Sequence, residues 1–331
     1  MLRTAMKMFV PVVGIVALGL LLLGISGNYS ARKPRLDCES SMGTTMNKDL
    51  MPILNKLKED AQQEIEKKEV KDISLYFREL KSGAWIGINK DEKFNTASLL
   101  KVPLMMECLE TVESHPGLLK KRLLFTGEED WDSRQYIKPR KTLEPGSWYT
   151  VDELMFRMIA YSDNNATQLL LKEIPLDYLY QYLADHKIDY EKTPNGSMMS
   201  LDTYSRFFEA LYDKSFLNSA MSRKALSYLA VEDFPQGMHA AVPANIAVES
   251  KFGEQEILDK NGKVKSAQLH EVGIVLAGNH PFLLGIMTKG NDFAVQEKII
   301  REITHDVYEE IEHADSRAAK QKDCMSSQCH V

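Results

Sequence analysis

The chain has 331 residues, 44% of them hydrophobic and 27% charged, with a formal net charge of −6. This is the composition of a globular protein long enough for one or two domains. The negative balance leaves no basic surface of the kind nucleic-acid binding needs, which excludes that class.

The first segment stands apart. Met8 to Ile25 is uncharged and apolar, preceded by Arg3 and Lys7, and is long enough to span a bilayer as a helix. A cleaved signal peptide has a shorter apolar core and an A-x-A-like exit, whereas this stretch leaves through Gly24-Ile25-Ser26-Gly27-Asn28-Tyr29-Ser30-Ala31. Residues 1–29 are therefore expected to be an uncleaved anchor. Arg32, Lys33 and Arg35 make the second flank basic too, so charge alone does not set the orientation. Residues 30–48 read as a linker.

From there the pattern is that of a folded domain over 49–316. Met51 to Lys68 predicts a charged amphipathic helix; Asp72 to Leu80 and Ala84 to Asn89 predict two strands turned by Lys81-Ser82-Gly83. A helix is expected from Ser98 to about Val112, with Pro103 near its first turn. Thr150 and Glu153 form a capping box for a helix whose face carries Leu154, Met155, Met158 and Ile159. It breaks at Ser162-Asp163-Asn164, residue types that favour caps and turns. A second helix carries Leu169, Leu170 and Leu171, and further helices are expected near 176–186, 201–212 and 221–230. Strands follow at Ile246 to Ser250, Glu271 to Ala277 and Phe282 to Thr288, then a long helix from Phe293 to about His313. Residues 317–331 read as a flexible tail.

Strands at both ends and helices between them predict an α+β fold. An antiparallel five-stranded sheet would be flanked by the N- and C-terminal helices, with an all-helical subdomain inserted at about 99–244. The cleft where the two parts meet is the natural place for a site. Cysteines do not decide the compartment: Cys38 with Cys324 or Cys329 leaves a linker-to-tail disulfide and free thiols both open. Cys324, Cys329 and His330 make too thin a ligand set for a metal, and no metal or cofactor is expected.

Three short motifs occur in order: Ser98-Leu99-Leu100-Lys101, Ser162-Asp163-Asn164 and Lys251-Phe252-Gly253. Ser-x-x-Lys recurs at Ser30 to Lys33, and Lys-x-Gly at Lys81-Ser82-Gly83 and Lys260-Asn261-Gly262, so order and context must select. Lys101 lies three residues after Ser98 and returns to the same helical face, within hydrogen-bond reach of its hydroxyl. A serine needs a base to become a nucleophile. A lysine serves when burial and a nearby cation, here Lys251, lower its pKa. Ser162 can relay a proton, Asn164 can hold a substrate amide, and Gly253 at a strand end lets a substrate backbone approach.

These residues, with Phe94-Asn95-Thr96-Ala97 before the serine and Tyr161 before Ser-Asp-Asn, resemble the class A β-lactamase and penicillin-binding superfamily from about residue 50 to 313. The resemblance implies a β-lactamase/transpeptidase-like fold and an acyl-enzyme at Ser98. Lys101 would be the base and Ser162 the relay, Asn164, Lys251 and Gly253 would bind substrate, and the N–H groups of Ser98 and Glu254 would form the oxyanion hole. The expected substrate is a β-lactam or a peptidoglycan stem peptide. The expected place is outside the bacterial cytoplasmic membrane, tethered by a single pass through residues 8–25. Two departures matter. Phe252 replaces a hydroxyl residue that helps to bind the substrate carboxylate. The Glu-x-x-Leu-Asn pattern that supplies a deacylating base is missing between Asn164 and Lys251, leaving Glu191 as the nearest substitute. A D-alanyl-D-alanine peptidase or wall amidase is the alternative enzyme, and an idle descendant that binds wall peptide or a partner is the alternative of another class.

Overall fold

The computed structural model describes residues 39–40, 51–194 and 196–328. The apolar stretch 8–25, Cys38 and Cys329 lie outside them. Among the described residues, no helix is long and apolar enough to cross a membrane.

The main sheet contains β1 (Glu39–Ser40), β2 (Asp72–Glu79), β3 (Trp85–Ile88), β9 (Val248–Leu258), β10 (Val264–Val275) and β11 (Phe282–Gly290). Their order is β1-β3-β2-β11-β10-β9, and every neighbouring pair is antiparallel. Five of these strands are the expected ones. The sixth, β1, corrects the reading of 30–48 as linker throughout, since Glu39 and Ser40 pair with Gly87 and Ile86.

Strand β9 also runs well past the expected end at Ser250. It forms a long hairpin with β10, whose turn is held by Asp259 Oδ1 accepting from the N–H groups of Asn261 and Lys263. Lys251 and Gly253 are therefore inside a strand rather than at its end. The exposed Glu256, Ile257 and Leu258 break the alternation that a half-buried strand displays, which hides the extension from a periodicity reading.

The sheet separates two apolar clusters, as a period of two requires. On β11, Leu283 and Met287 face the helical subdomain. Phe282, Leu284 and Ile286 face the terminal helices. These are α1 (Met51–Glu66), contributing Ile53, Leu57 and Ala61, and α8 (Phe293–Gln328), contributing Ile299, Ile300, Ile303 and Val307. Each of the leucine, isoleucine and valine side chains among them, buried fully, stabilises the fold by about 1.5–3 kcal/mol. The α8 backbone stays helical to Gln328.

Between β4 (Lys93–Asn95) and β9 lies the subdomain of α2 (Lys101–Ser114), α3 (Val151–Ala160), α4 (Asn164–Leu171), α5 (Leu176–Asp185), α6 (Leu201–Asp213) and α7 (Ser219–Leu229). The expected capping box starts α3: Thr150 Oγ1 accepts from Glu153 N at 3.1 Å, and Glu153 Oε2 accepts from Thr150 N at 2.7 Å. Cys108, on α2, is buried with a free thiol. The subdomain is not wholly helical. β5 (Arg122–Phe125) pairs with β6 (Ser147–Thr150), and β7 (Glu191–Thr193) and β8 (Gly196–Ser200) join β4 in a three-stranded sheet.

Candidate active site

Ser98 sits in a 3-10 turn, Ala97–Leu100, that feeds into α2. The helix itself begins at Lys101, not at Ser98 as the spacing implies. The turn is entered through Ala97 at φ +46°, a left-handed conformation that disfavours a side chain. It is held from every side. Asn95 Oδ1 accepts from Ala97 N at 2.9 Å, Thr96 N and Oγ1 donate to Ser197 O at 2.8 and 3.1 Å, and Tyr204 OH donates to Leu99 O at 2.9 Å.

Behind the turn, the fully buried His270 holds Asn95 O at 3.0 Å through Nε2. Its Nδ1 accepts from Thr288 N at 3.2 Å, so the ring proton lies on Nε2. Burial lowers the His270 pKa to about 4, and the ring is neutral at neutral pH.

Lys101 is 5% exposed. Its Nζ donates to Ser162 O at 2.7 Å, Ser162 Oγ at 3.1 Å and Asn164 Oδ1 at 2.7 Å. Burial and then the Lys251 charge bring its pKa down to about 7, against the opposing pull of Asp163, Asp132 and Glu254. The expected hydrogen bond between Lys101 and Ser98 is not made, and among the described residues Ser98 Oγ has no hydrogen-bond partner. The reason is donor count. A charged amine with three acceptors has spent its three N–H groups, whereas the neutral amine keeps two and gains a lone pair. At a pKa of about 7 the two forms exchange in the working range, and catalytic hydrogen bonds tighten only when substrate is present.

The Ser162-Asp163-Asn164 turn presents its groups to Lys101 because it is itself strained and braced. Ser162 is at φ +52° and fully buried. Asp163 caps α4 by accepting from Ala166 N at 2.7 Å; burial raises its pKa to about 6. The loop 126–146, between β5 and β6, supplies the brace. Asp132 Oδ1 accepts from Asn164 N at 2.7 Å, Asp132 Oδ2 accepts from Asn165 Nδ2 at 2.8 Å, and Gln135 Nε2 donates to Ser162 O at 2.9 Å. No motif or periodic signal marks this loop in the sequence.

The third motif lines the opposite wall. A Cβ at Gly253 would lie 2.9 Å from Leu99 N and 3.0 Å from Thr96 O, so only glycine lets β9 press against the nucleophile turn. Phe252 N donates to Glu232 Oε1 at 2.7 Å, away from β10. Alternation in an antiparallel ladder then turns the Glu254 N–H to the same free edge, beside the turn that carries Ser98. The Glu254 side chain reaches across to loop 126–146, accepting from Tyr136 N at 2.7 Å and Ile137 N at 3.0 Å.

Lys251 is where expectation and structure part. It was expected to bind substrate, but its side chain is 0% exposed. Nζ lies 2.7 Å from Glu232 Oε1, itself 0% exposed. Phe252 is equally sealed, stacked on Phe234 with ring centroids 4.7 Å apart. Sequence offers no signal for Glu232 as the partner. Glu191, the substitute deacylation base, is exposed on β7, with β8 between it and the β4 strand that leads to Ser98. The structure thus gathers Ser98, Lys101, Ser162, Asn164, Gly253 and Glu254, places Lys251 behind them, and leaves Glu191 outside.

The sequence profile of the beta-lactamase enzyme family matches residues 56–311. No curated protein matches the chain in sequence. A variant of PBP-A, solved as an acyl-enzyme complex with penicillin G, is 20% identical, covering 78% of this chain and 97% of that one at a TM-score of 0.65. A beta-lactamase from Sphaerobacter thermophilus is 20% identical over 77% and 96% of the two chains, at 0.65. A class A beta-lactamase from Mycobacterium abscessus is 19% identical over 78% and 99%, at 0.64. At these identities the likeness is one of fold.

Proposed function

Because the chain belongs to the beta-lactamase enzyme family and is by that membership a serine hydrolase, we propose that it forms an acyl-enzyme at Ser98 and releases it slowly. Neutral Lys101 takes the Ser98 hydroxyl proton as Oγ attacks the amide or β-lactam carbonyl. The N–H groups of Ser98 and Glu254 receive the oxyanion. The carbon–nitrogen bond then breaks as Lys101 returns the proton through the Ser162 hydroxyl to the leaving nitrogen, while Asn164 holds the acyl side chain. Water must next attack the ester. Glu191, exposed on the outer strand, is out of place to activate it, and the acyl-enzyme persists.

The observation that carries this reading is Lys101 itself: a buried amine with its pKa brought to about 7, one turn from the serine and hydrogen-bonded to a second hydroxyl. The fold shared with a protein captured as a penicillin acyl-enzyme supports it. Residues 8–25 would tether the domain outside the bacterial cytoplasmic membrane.

The test is Ser98-dependent labelling by a fluorescent penicillin at up to millimolar concentration, read by gel and intact mass. A stable adduct, absent in Ser98→Ala, is expected. A folded domain that never labels would remove the enzymatic reading and favour a binding protein. Rapid turnover of a chromogenic cephalosporin would remove slow release and assign efficient hydrolysis.

A further inference from the structure

The groups around the reacting centre do not balance in charge. Lys251, whose charge acts on Lys101, is fully enclosed and held by Glu232 at 2.7 Å. The same carboxylate takes the Phe252 N–H at 2.7 Å and the Ser250 hydroxyl at 2.9 Å. Glu232 therefore removes from the free edge of β9 a positive charge and one of the backbone donors that an added peptide strand would use, leaving the Glu254 N–H. Glu254 sets a carboxylate at this edge, and Asp163 and Asp132 also act on Lys101. On the loop 126–146, exposed Arg140 pairs with Asp233 at 3.2 Å, and exposed Lys138 donates to the carbonyls of Asp132 and Ser133 at 3.0 and 2.7 Å. A donor that brings its own carboxylate meets the Glu254 carboxylate at this edge and gains nothing from Lys251.

We propose that Glu232 sets the donor preference of this site: by keeping Lys251 and the Phe252 N–H within the protein, it leaves a cleft that accepts uncharged acyl donors ahead of carboxylate-bearing ones. Glu254 reinforces the preference from the rim. The inference rests on acylation at Ser98 and names its substrate class.

Benzylpenicillin and its methyl ester test it, because they differ only in the charge of one group. Rates of Ser98-specific adduct formation are measured by mass spectrometry with peptide mapping, and each is normalised to the compound's hydrolysis by hydroxide. In the full chain the ester is expected to react about tenfold faster, the scale of one charge contact that water largely screens. Glu232→Gln keeps the acceptor for Phe252 N–H and frees Lys251, and should raise the acid-to-ester ratio about tenfold. Should that variant fail to fold, Glu254→Gln, at the rim, is expected to move the ratio the same way by about threefold. A faster reaction with the acid in the unmodified chain would overturn the inference and leave acylation standing. So would a folded Glu232→Gln chain with an unchanged ratio. No Ser98 adduct from either compound would overturn acylation and this inference together.

Discussion

Two lysines, both buried and both lowered in pKa by that burial, belong to opposite walls of the site and have come to opposite ends. Lys101 is met by neutral acceptors, the Ser162 hydroxyl and carbonyl and the Asn164 amide, and by the repulsion of Lys251. Nothing there requires it to stay charged, so it is left near pH 7 as a base. Lys251 is met by a carboxylate, and Glu232 pulls its pKa back up against burial. Burial alone thus does not make a reactive amine; the partner decides. The amine beside the nucleophile turn and the Ser162 turn is left reactive, and the amine on β9 is paired.

Exchanging each lysine for methionine is the hardest test of that contrast. Lys101→Met removes the base and is expected to slow acylation on the order of 10³-fold, the typical contribution of a general base, with thermal stability retained because the apolar replacement fits a buried site. Lys251→Met leaves Glu232 buried without its counter-charge and is expected to cost about 3–5 kcal/mol in urea unfolding. If Lys251→Met unfolds like the unmodified chain, or Lys101→Met acylates normally, the division of roles is wrong.

The next effect is on acid stability. His270 is neutral and has a folded pKa of about 4, below the value of about 6.5 for an unfolded histidine. Between these values the unfolded chain binds more protons, so stability falls as pH drops through that window, by about 3 kcal/mol at most. His270→Gln should flatten this dependence in denaturant titrations at pH 4 and 7. It should also slow acylation at neutral pH, since His270 holds Asn95 O and Asn95 in turn holds Ala97 before the nucleophile. A flat profile with unaltered acylation would make His270 ordinary core.

A smaller effect belongs to the rate profile. Acylation needs Lys101 neutral, so its rate is expected to rise with pH through about 7 and level off above. Below the midpoint each unit of pH lowers the rate about tenfold. Glu254 pulls the Lys101 pKa up, so Glu254→Gln should move the midpoint down. Movement upward would mean the rim carboxylate acts through the loop it holds and not through its charge.

How far the sequence could be read follows the distance between partners. Ser98 and Lys101 are three residues apart on one turn, and Thr150 and Glu153 three apart across a helix start; local spacing carries both. Five sheet strands and the terminal helices are legible from periodicity. Glu232 and Lys251 meet only because α7 ends where β9 passes, and no pattern in the chain links them. Asp132 and Gln135 come from a loop with no periodic signal, and His270 supports Asn95 from 175 residues away. The β1 strand is invisible because two residues have no period, and the end of α8 because its apolar spacing fades while the helix continues. The motifs are legible; which of their side chains face the cleft is set by long-range partners.

The smallest expected effect is a control on the contrast, far from both walls' ionisable groups. Thr150 caps α3, whose other end delivers Tyr161 and Ser162 to the site. Thr150→Ala loses the Glu153 N–H acceptor and should cost about 1 kcal/mol, read as a small drop in unfolding midpoint. The strain at Ser162 is borne by Asp132 and Gln135 at the far end of the helix, not by the cap, so acylation by either penicillin form should be unchanged at temperatures where the variant is folded. A loss of acylation at full folding would mean that the Ser162 turn takes its position from the start of α3. The Ser162 wall would then depend on helix register as much as on the loop that braces it.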